Sequence, residues 1–142
     1  MIHITDLNHV SIIVKDLQAS RHFYGDVLGM DEVPRPATFN FKGAWFRKGG
    51  AEIHLIHIDD ASQPSGDAPA QPTEHADIAR ARHHAFAVAD IDEVIRVLRE
   101  HDIPIVIGPR PRGDGAIQTF CFDPDGHLVE LHTLPPNSKS QL

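Results

Sequence analysis

The sequence predicts an α+β chain in which one β-α-β-β-β module is used twice. Three observations predict it: a repeated opening with a period of about 75 residues, a helical stretch after each opening, and two sharp reversals between short apolar runs. The first opening is His9-Val-Ser-Ile-Ile-Val-Lys-Asp-Leu and the second is His83-His-Ala-Phe-Ala-Val-Ala-Asp-Ile. Each places a His five residues before a Val and an Asp two residues after that Val, as in a strand running into a helix.

The elements follow in order. Asp16 caps a first helix whose stripe is Ser20, Phe23, Tyr24 and Val27, with Gly29 as its stop. Strand-like runs follow, the last two being Ala44-Trp-Phe-Arg and Glu52-Ile-His-Leu-Ile-His-Ile, separated by Gly49-Gly50. In the second copy Asp90 and Glu93 form a pair like a capping box, Ile91, Val94, Ile95 and Leu98 make the apolar face, and Pro104 lies beyond the end. Its last two runs, Ile117-Gln-Thr-Phe-Cys-Phe and His127-Leu-Val-Glu-Leu-His, flank Asp123-Pro-Asp-Gly126. The modules are thus 1–58 and 81–134 of a single domain. Residues 59–80, with Pro64, Pro69 and Pro72, read as a linker, either a tether or a lid, and 135–142 as a loose tail. Gly108-Pro-Arg-Pro-Arg-Gly113 reads as a connection between strands whose arginines meet an anionic substrate or water.

Composition narrows the function. A chain of 142 residues supports a core without staples. Its formal charge of −7 and lack of a basic block exclude nucleic acid as an expected partner. No run approaches the roughly 20 apolar residues of a membrane span, and Met1-Ile-His-Ile-Thr-Asp has no feature of a signal peptide, so the expected setting is cytoplasmic. Cys121 is the single cysteine, flanked by Phe120 and Phe122, and reads as a buried inert thiol. A Ser-His-Asp triad around Ser11 lacks partners. Any metal site must therefore use the 11 histidines and the carboxylates.

Aligning the copies sets His9 over His83 and His54 over Glu130, at matching places on first and last strands. Strand alternation puts His9 with Ser11 and Ile13, His54 with Glu52 and Ile56, His83 with Ala85 and Ala87, and Glu130 with Leu128 and His132. Three imidazoles and one carboxylate suit Zn, Ni, Co or Fe(II), and leave two positions on an octahedral ion for a bidentate oxygen substrate. His57, His84 and His132 lie off this face or lack a ligand-type counterpart, and His3, His22, His75, His101 and His127 read as solvated or capping residues.

From Leu7 to Leu134 the chain resembles the vicinal oxygen chelate superfamily, which groups glyoxalase I, bleomycin-resistance proteins, extradiol dioxygenases and fosfomycin-resistance enzymes. The resemblance is carried by Leu7-Asn-His-Val-Ser-Ile-Ile-Val-Lys-Asp-Leu, Phe23-Tyr-Gly-Asp-Val-Leu-Gly-Met30, His83 to Asp92, and Asp123-Pro-Asp-Gly-His-Leu-Val-Glu-Leu131. It implies paired modules forming a cupped, eight-stranded mixed sheet around a divalent metal, as a homodimer. By position, His9, His54, His83 and Glu130 fall on the four glyoxalase-type metal positions. It further implies a lyase or isomerase acting on a small substrate with neighbouring oxygens through a metal-bound enediolate, with Glu130 as the proton-shuttling base. The pocket residues would be Ser11, Ile13, Trp45, Ile58 and Phe120.

The departures define the alternatives. Glyoxalase I has Glu where this chain has His54, and glutathione-holding Arg and Asn where it has Ile13 and Ile58. Extradiol dioxygenases match at His9, His83 and Glu130 but carry Tyr in place of Phe120. Fosfomycin thiol transferases match at Asn8-His9, Ser11, His83 and Glu130, without a ligand at the place of His54. A metal-independent small-molecule binding protein of bleomycin-resistance type keeps the fold alone.

Overall fold

The computed structural model describes residues 1–57 and 78–136. By internal contact the chain divides into two compact units, Met1–Gly66 and Asp67–Leu142. The proposed linker 59–80 lies almost wholly outside the described residues, as do Ile58, His75 and nearly all of the tail.

The first unit runs β1 (Val10–Val14), α1 (Leu17–Arg21), a π-helical turn (His22–Val27), β2 (Asp31–Val33), β3 (Gly43–Lys48) and β4 (Ala51–His57). Its sheet has the order β1-β4-β3-β2, with β1 parallel to β4 and the other pairs antiparallel. Asp16 Oδ1 accepts from the backbone N–H of Gln18 and Ala19 at 2.9 and 3.1 Å, so α1 starts where the sequence places it. The helix then widens, which corrects the expectation of one regular helix. Leu28 N–H donates to the Phe23 carbonyl five residues back at 2.9 Å, and Gly29 ends the turn at φ +67°. The predicted stripe is nonetheless buried: Ser20, Phe23, Tyr24 and Val27 pack in a core with Ile12, Val14, Ala44, Phe46, Ile53 and Leu55.

The second unit repeats the plan after a short 3-10 turn (Ile78–Arg80): β5 (His83–Ala87), α2 (Ile91–Glu100), β6 (Ile105–Pro111), β7 (Ile117–Phe122) and β8 (Leu128–His132). The sheet order is β5-β8-β7-β6, again with the first and last strands parallel. Asp90 caps α2 through the N–H groups of Asp92 and Glu93, while the Glu93 side chain turns to Arg96. Ile95 and Leu98 carry the buried face of α2. The Asp123-Pro-Asp-Gly126 reversal is tied by Gly126 N–H to the Asp123 carbonyl at 3.0 Å, with Gly126 at φ +85°. Asp123 Oδ1 also accepts from the N–H of Asp125 and His127.

Two sequence expectations are corrected here. The Gly108–Gly113 stretch is no mere connection, since β6 runs through Pro111. It occupies the edge of the sheet, with register shifts at Ile105/Ile107 and Ile107/Arg110, which is where a strand tolerates Pro. His9 precedes β1 rather than lying in it. No helix among the described residues is long and apolar enough to cross a membrane.

Candidate functional site

The register aligns the two units row for row. His54 lies opposite Ser11 on β1 and Trp45 on β3. Glu130 lies opposite Ala85 on β5 and Phe120 on β7. Ser11 and Ala85 each stand two residues after the opening His, so the register reproduces the alignment of His54 with Glu130. Alternation then places these residues on the face away from the helix core.

In the first unit the site face is a stack of rings. Trp45 and His54 are parallel, with centroids 3.9 Å apart and 4° between planes, and His9 stacks on the other side at 4.0 Å and 18°. Phe39 meets Trp45 edge-on at 5.5 Å. His54 Nε2 lies 2.7 Å from Glu52 Oε1, while Glu52 Oε2 takes Arg47 Nε at 2.7 Å and Nη2 at 2.6 Å. Hydrogen bonds from His54 first, then Arg47, hold the Glu52 carboxyl below the usual carboxylate range. His9 Nδ1 lies 2.8 Å from Asn8 Oδ1. Ser11 is exposed and Ile13 half-buried.

In the second unit His83 Nε2 lies 3.0 Å from Glu130 Oε2, and His83 Nδ1 lies 2.7 Å from the Ala81 carbonyl. A carbonyl only accepts, so Nδ1 carries a proton and the ring is oriented with Nε2 towards Glu130. Nε2 faces a carboxylate oxygen, a contact that either a proton on this nitrogen or a bound cation satisfies. Glu130 is buried, and its Oε1 has no hydrogen-bond partner. Arg112 Nη1 stands 3.8 Å from that oxygen, while the rest of the guanidinium grips Asp114. Phe120 meets the His83 ring edge-on at 5.5 Å.

A divalent ion fits the donors of the second unit: a histidine oriented by a carbonyl on its far nitrogen, beside a carboxylate whose buried second oxygen accepts no hydrogen bond. The first unit offers two more imidazoles, but stacked. An ion lies in the plane of each ring it binds, at roughly 2.1 Å from nitrogen. Planes 4.0 Å apart and 18° from parallel do not meet within that reach, so one ring must turn before His9 and His54 can face one ion. Accordingly, the predicted donors come together as pairs, and no group of three or more His, Cys, Asp or Glu suited to a metal occurs among the described residues.

The histidines set aside keep other company. His22 pairs with Asp26 at 2.8 Å. His132 Nδ1 meets the Thr133 carbonyl. His84 contacts Phe86 edge-on, and burial followed by the charges of His127 and His83 brings it down to about 4. Cys121 is buried, and burial pushes its thiol up to about 12. Glu52, Arg47, Asn8 and Arg112 emerge as site residues beyond the predicted set. Glu52 was visible as the same-face neighbour of His54; Arg112 required the course of β6.

A family model described as the Glyoxalase/Bleomycin resistance protein/Dioxygenase superfamily matches residues 6–131. The chain belongs to that superfamily. It is 30% identical over 131 residues to Glyoxylase I 4 of Arabidopsis thaliana, covering 92% of this chain and 71% of that protein. It is 31% identical over 133 residues to the Metallothiol transferase FosB of Staphylococcus epidermidis, covering 92% and 82%. Among solved structures, a glyoxalase/dioxygenase from Nostoc punctiforme superposes with a TM-score of 0.72 at 32% identity, covering 92% of this chain and 91% of that one.

Proposed function

We propose that this chain is a divalent-metal-dependent lyase or isomerase of glyoxalase type, acting on a small substrate with neighbouring oxygens. His9, His54, His83 and Glu130 are the metal donors in this reading, and Zn, Ni, Co or Fe(II) are the ions that donor set suits. The observation that supports it is the His83–Glu130 pair, in which an imidazole nitrogen, its ring oriented by the Ala81 carbonyl, meets a buried carboxylate at 3.0 Å. A bound ion would supply Lewis acidity, polarising the two substrate oxygens and stabilising negative charge on them.

The chain's own groups do the rest. Glu130 takes a proton from one carbon and returns it to its neighbour, using the oxygen that accepts no hydrogen bond. His83, tethered to Ala81, keeps its Nε2 aimed at Glu130 throughout. Arg112, braced by Asp114, holds positive charge beside the carboxylate. Ser11, Ile13, Ile58, Trp45 and Phe120 line the substrate side in this proposal, which also includes a homodimer and a cytoplasmic setting. The match from residue 6 to residue 131 supports reading both units as parts of one domain.

Similarity to the metallothiol transferase favours a second reading, metal-dependent thiol transfer with His9, His83 and Glu130 alone as donors. The occupied Nε2 of His54 supports it.

Elemental analysis of untagged protein purified without chelator tests both. Near-stoichiometric Zn, Ni, Co or Fe is expected, lost in His83→Ala and weakened in Glu130→Gln. The Glu130→Gln variant should lose at least about 100-fold in turnover while still binding substrate. A chain that neither holds metal nor takes it up on reconstitution would instead be a small-molecule binding module.

A further inference from the structure

We propose that Glu52 is a positioning residue of the metal centre: it fixes the His54 tautomer with the proton on Nε2, so that Nδ1 is the atom that binds the ion. This rests on the reading of His54 as a metal donor given above.

The argument begins with Arg47. A guanidinium is protonated at every pH a protein survives, and Arg47 grips Glu52 Oε2 through two nitrogens. Glu52 is therefore an ionised carboxylate and accepts only. The single proton in the 2.7 Å contact with His54 must sit on Nε2. A neutral imidazole with Nε2 protonated has its lone pair on Nδ1, which has no partner among the described residues.

The ring is held as firmly as its proton. Glu52 and His54 side chains are only 9% and 12% exposed. Trp45 lies flat on the ring at 3.9 Å, which opposes its rotation. Binding through Nε2 would require breaking the bond to Glu52 and the stack together. In the second unit it is Nδ1 of His83 that is anchored, by the Ala81 carbonyl, while Nε2 faces Glu130 Oε2 at 3.0 Å. Orienting partners of this kind are worth about 10- to 100-fold in metal affinity.

The test is the affinity of the full chain for Zn(II), measured by competition with a chromophoric chelator. Wild type is compared with Glu52→Ala, Glu52→Gln, His54→Ala and His83→Ala. Nitrogen NMR of His54 is recorded with and without the ion. Emission from Trp45, the single tryptophan, checks that each variant keeps the stack. Glu52→Ala is expected to weaken Zn(II) binding by about 10- to 100-fold, Glu52→Gln by less, and the ion-dependent shift should fall on Nδ1. A shift on Nε2, or tighter binding in Glu52→Ala, overturns the proposal, because Glu52 would then compete with the ion. Unchanged affinity in Glu52→Ala while His54→Ala weakens binding also overturns it. If His54→Ala has no effect while His83→Ala weakens binding, the proposal fails and the three-donor reading stands. If the wild-type chain takes up no Zn(II), the metal reading itself has failed.

Discussion

Each unit sets an imidazole, a carboxylate and a guanidinium on the face of its sheet away from its helix, and the two sets differ in which carboxylate oxygens are committed. In the first, Glu52 gives one oxygen to His54 and the other to Arg47. In the second, Glu130 gives one oxygen to His83, while the other is buried without a hydrogen bond and Arg112 stays 3.8 Å away. A carboxylate with both oxygens engaged can orient a neighbour but has nothing left for an ion or a substrate proton. A carboxylate with one oxygen withheld keeps that capacity, at the cost of an unsatisfied buried atom. The difference teaches that a carboxylate on this face acquires its role from what braces it. Arg112 is drawn back by Asp114, whereas Arg47 has its hydrogen bonds on Glu52.

The ring beside each central residue offers the largest break in this comparison. Phe120 is 1% exposed and sits in a strand buried on both faces, whereas Trp45 is half-buried and held by His54 and Phe39. Phe120→Ala is expected to cost about 3–5 kcal/mol of folding stability. Trp45→Ala should cost about 1–2 kcal/mol, the worth of its ring contacts. Urea unfolding of both variants measures this, and equal losses would show that Trp45 is core in the same sense as Phe120.

A smaller contrast lies on the opposite face, where the first unit has Phe46 and the second has Cys121, both buried. Burial, then the charge of Asp123, lifts the Cys121 thiol to about 12 from a usual 9.0. Unfolded chains release that proton above pH 9 while folded ones keep it, so the folded state binds more protons and stability falls as pH rises from 9 towards 12. The full loss is at most about 4 kcal/mol. Cys121→Ala should lack this component. Unfolding midpoints at pH 8 and pH 11 check it, and an equal alkaline loss in both proteins would mean that the native thiol titrates as if exposed.

Much of this was legible before any coordinates. Alternation fixes which face of a strand a side chain takes, so His54 with Glu52, and Glu130 with Leu128 and His132, follow from counting by twos. Alternation says nothing of ring rotation, and for that reason the stack of His9, His54 and Trp45, which keeps two expected donors from facing one ion, could not be read. Pro109 and Pro111 disguised β6 as a loop, because the tolerance of an edge strand for Pro depends on sheet order rather than local sequence. For the same reason the sequence offers Arg112 an anionic substrate or water and does not show its place beside Glu130. The widened turn after α1 also escaped, because the stripe Ser20, Phe23, Tyr24, Val27 satisfies an α-helix and a helix with one π turn alike.

The smallest expected difference is between the two caps. Asp16 holds two N–H groups at 2.9 and 3.1 Å, and no acidic side chain follows in the first turn of α1. Asp90 holds its two at 2.8 and 3.4 Å, with Asp92 and Glu93 in the first turn of α2. Those acids already place negative charge at the positive end of the helix dipole and repel the carboxylate of Asp90. Replacing Asp16 by Ala should therefore cost about 1 kcal/mol or slightly more, and replacing Asp90 by Ala about half as much. Asn at either position keeps the accepting oxygen while removing the charge. Asp90→Asn should match wild type in thermal unfolding, because its charge is redundant, while Asp16→Asn should lose a few tenths of a kcal/mol at low salt and recover in high salt. Equal responses of the two caps to Asn and to salt would mean that Asp92 and Glu93 lie too far from the cap to share its work, and that geometry alone separates α1 from α2.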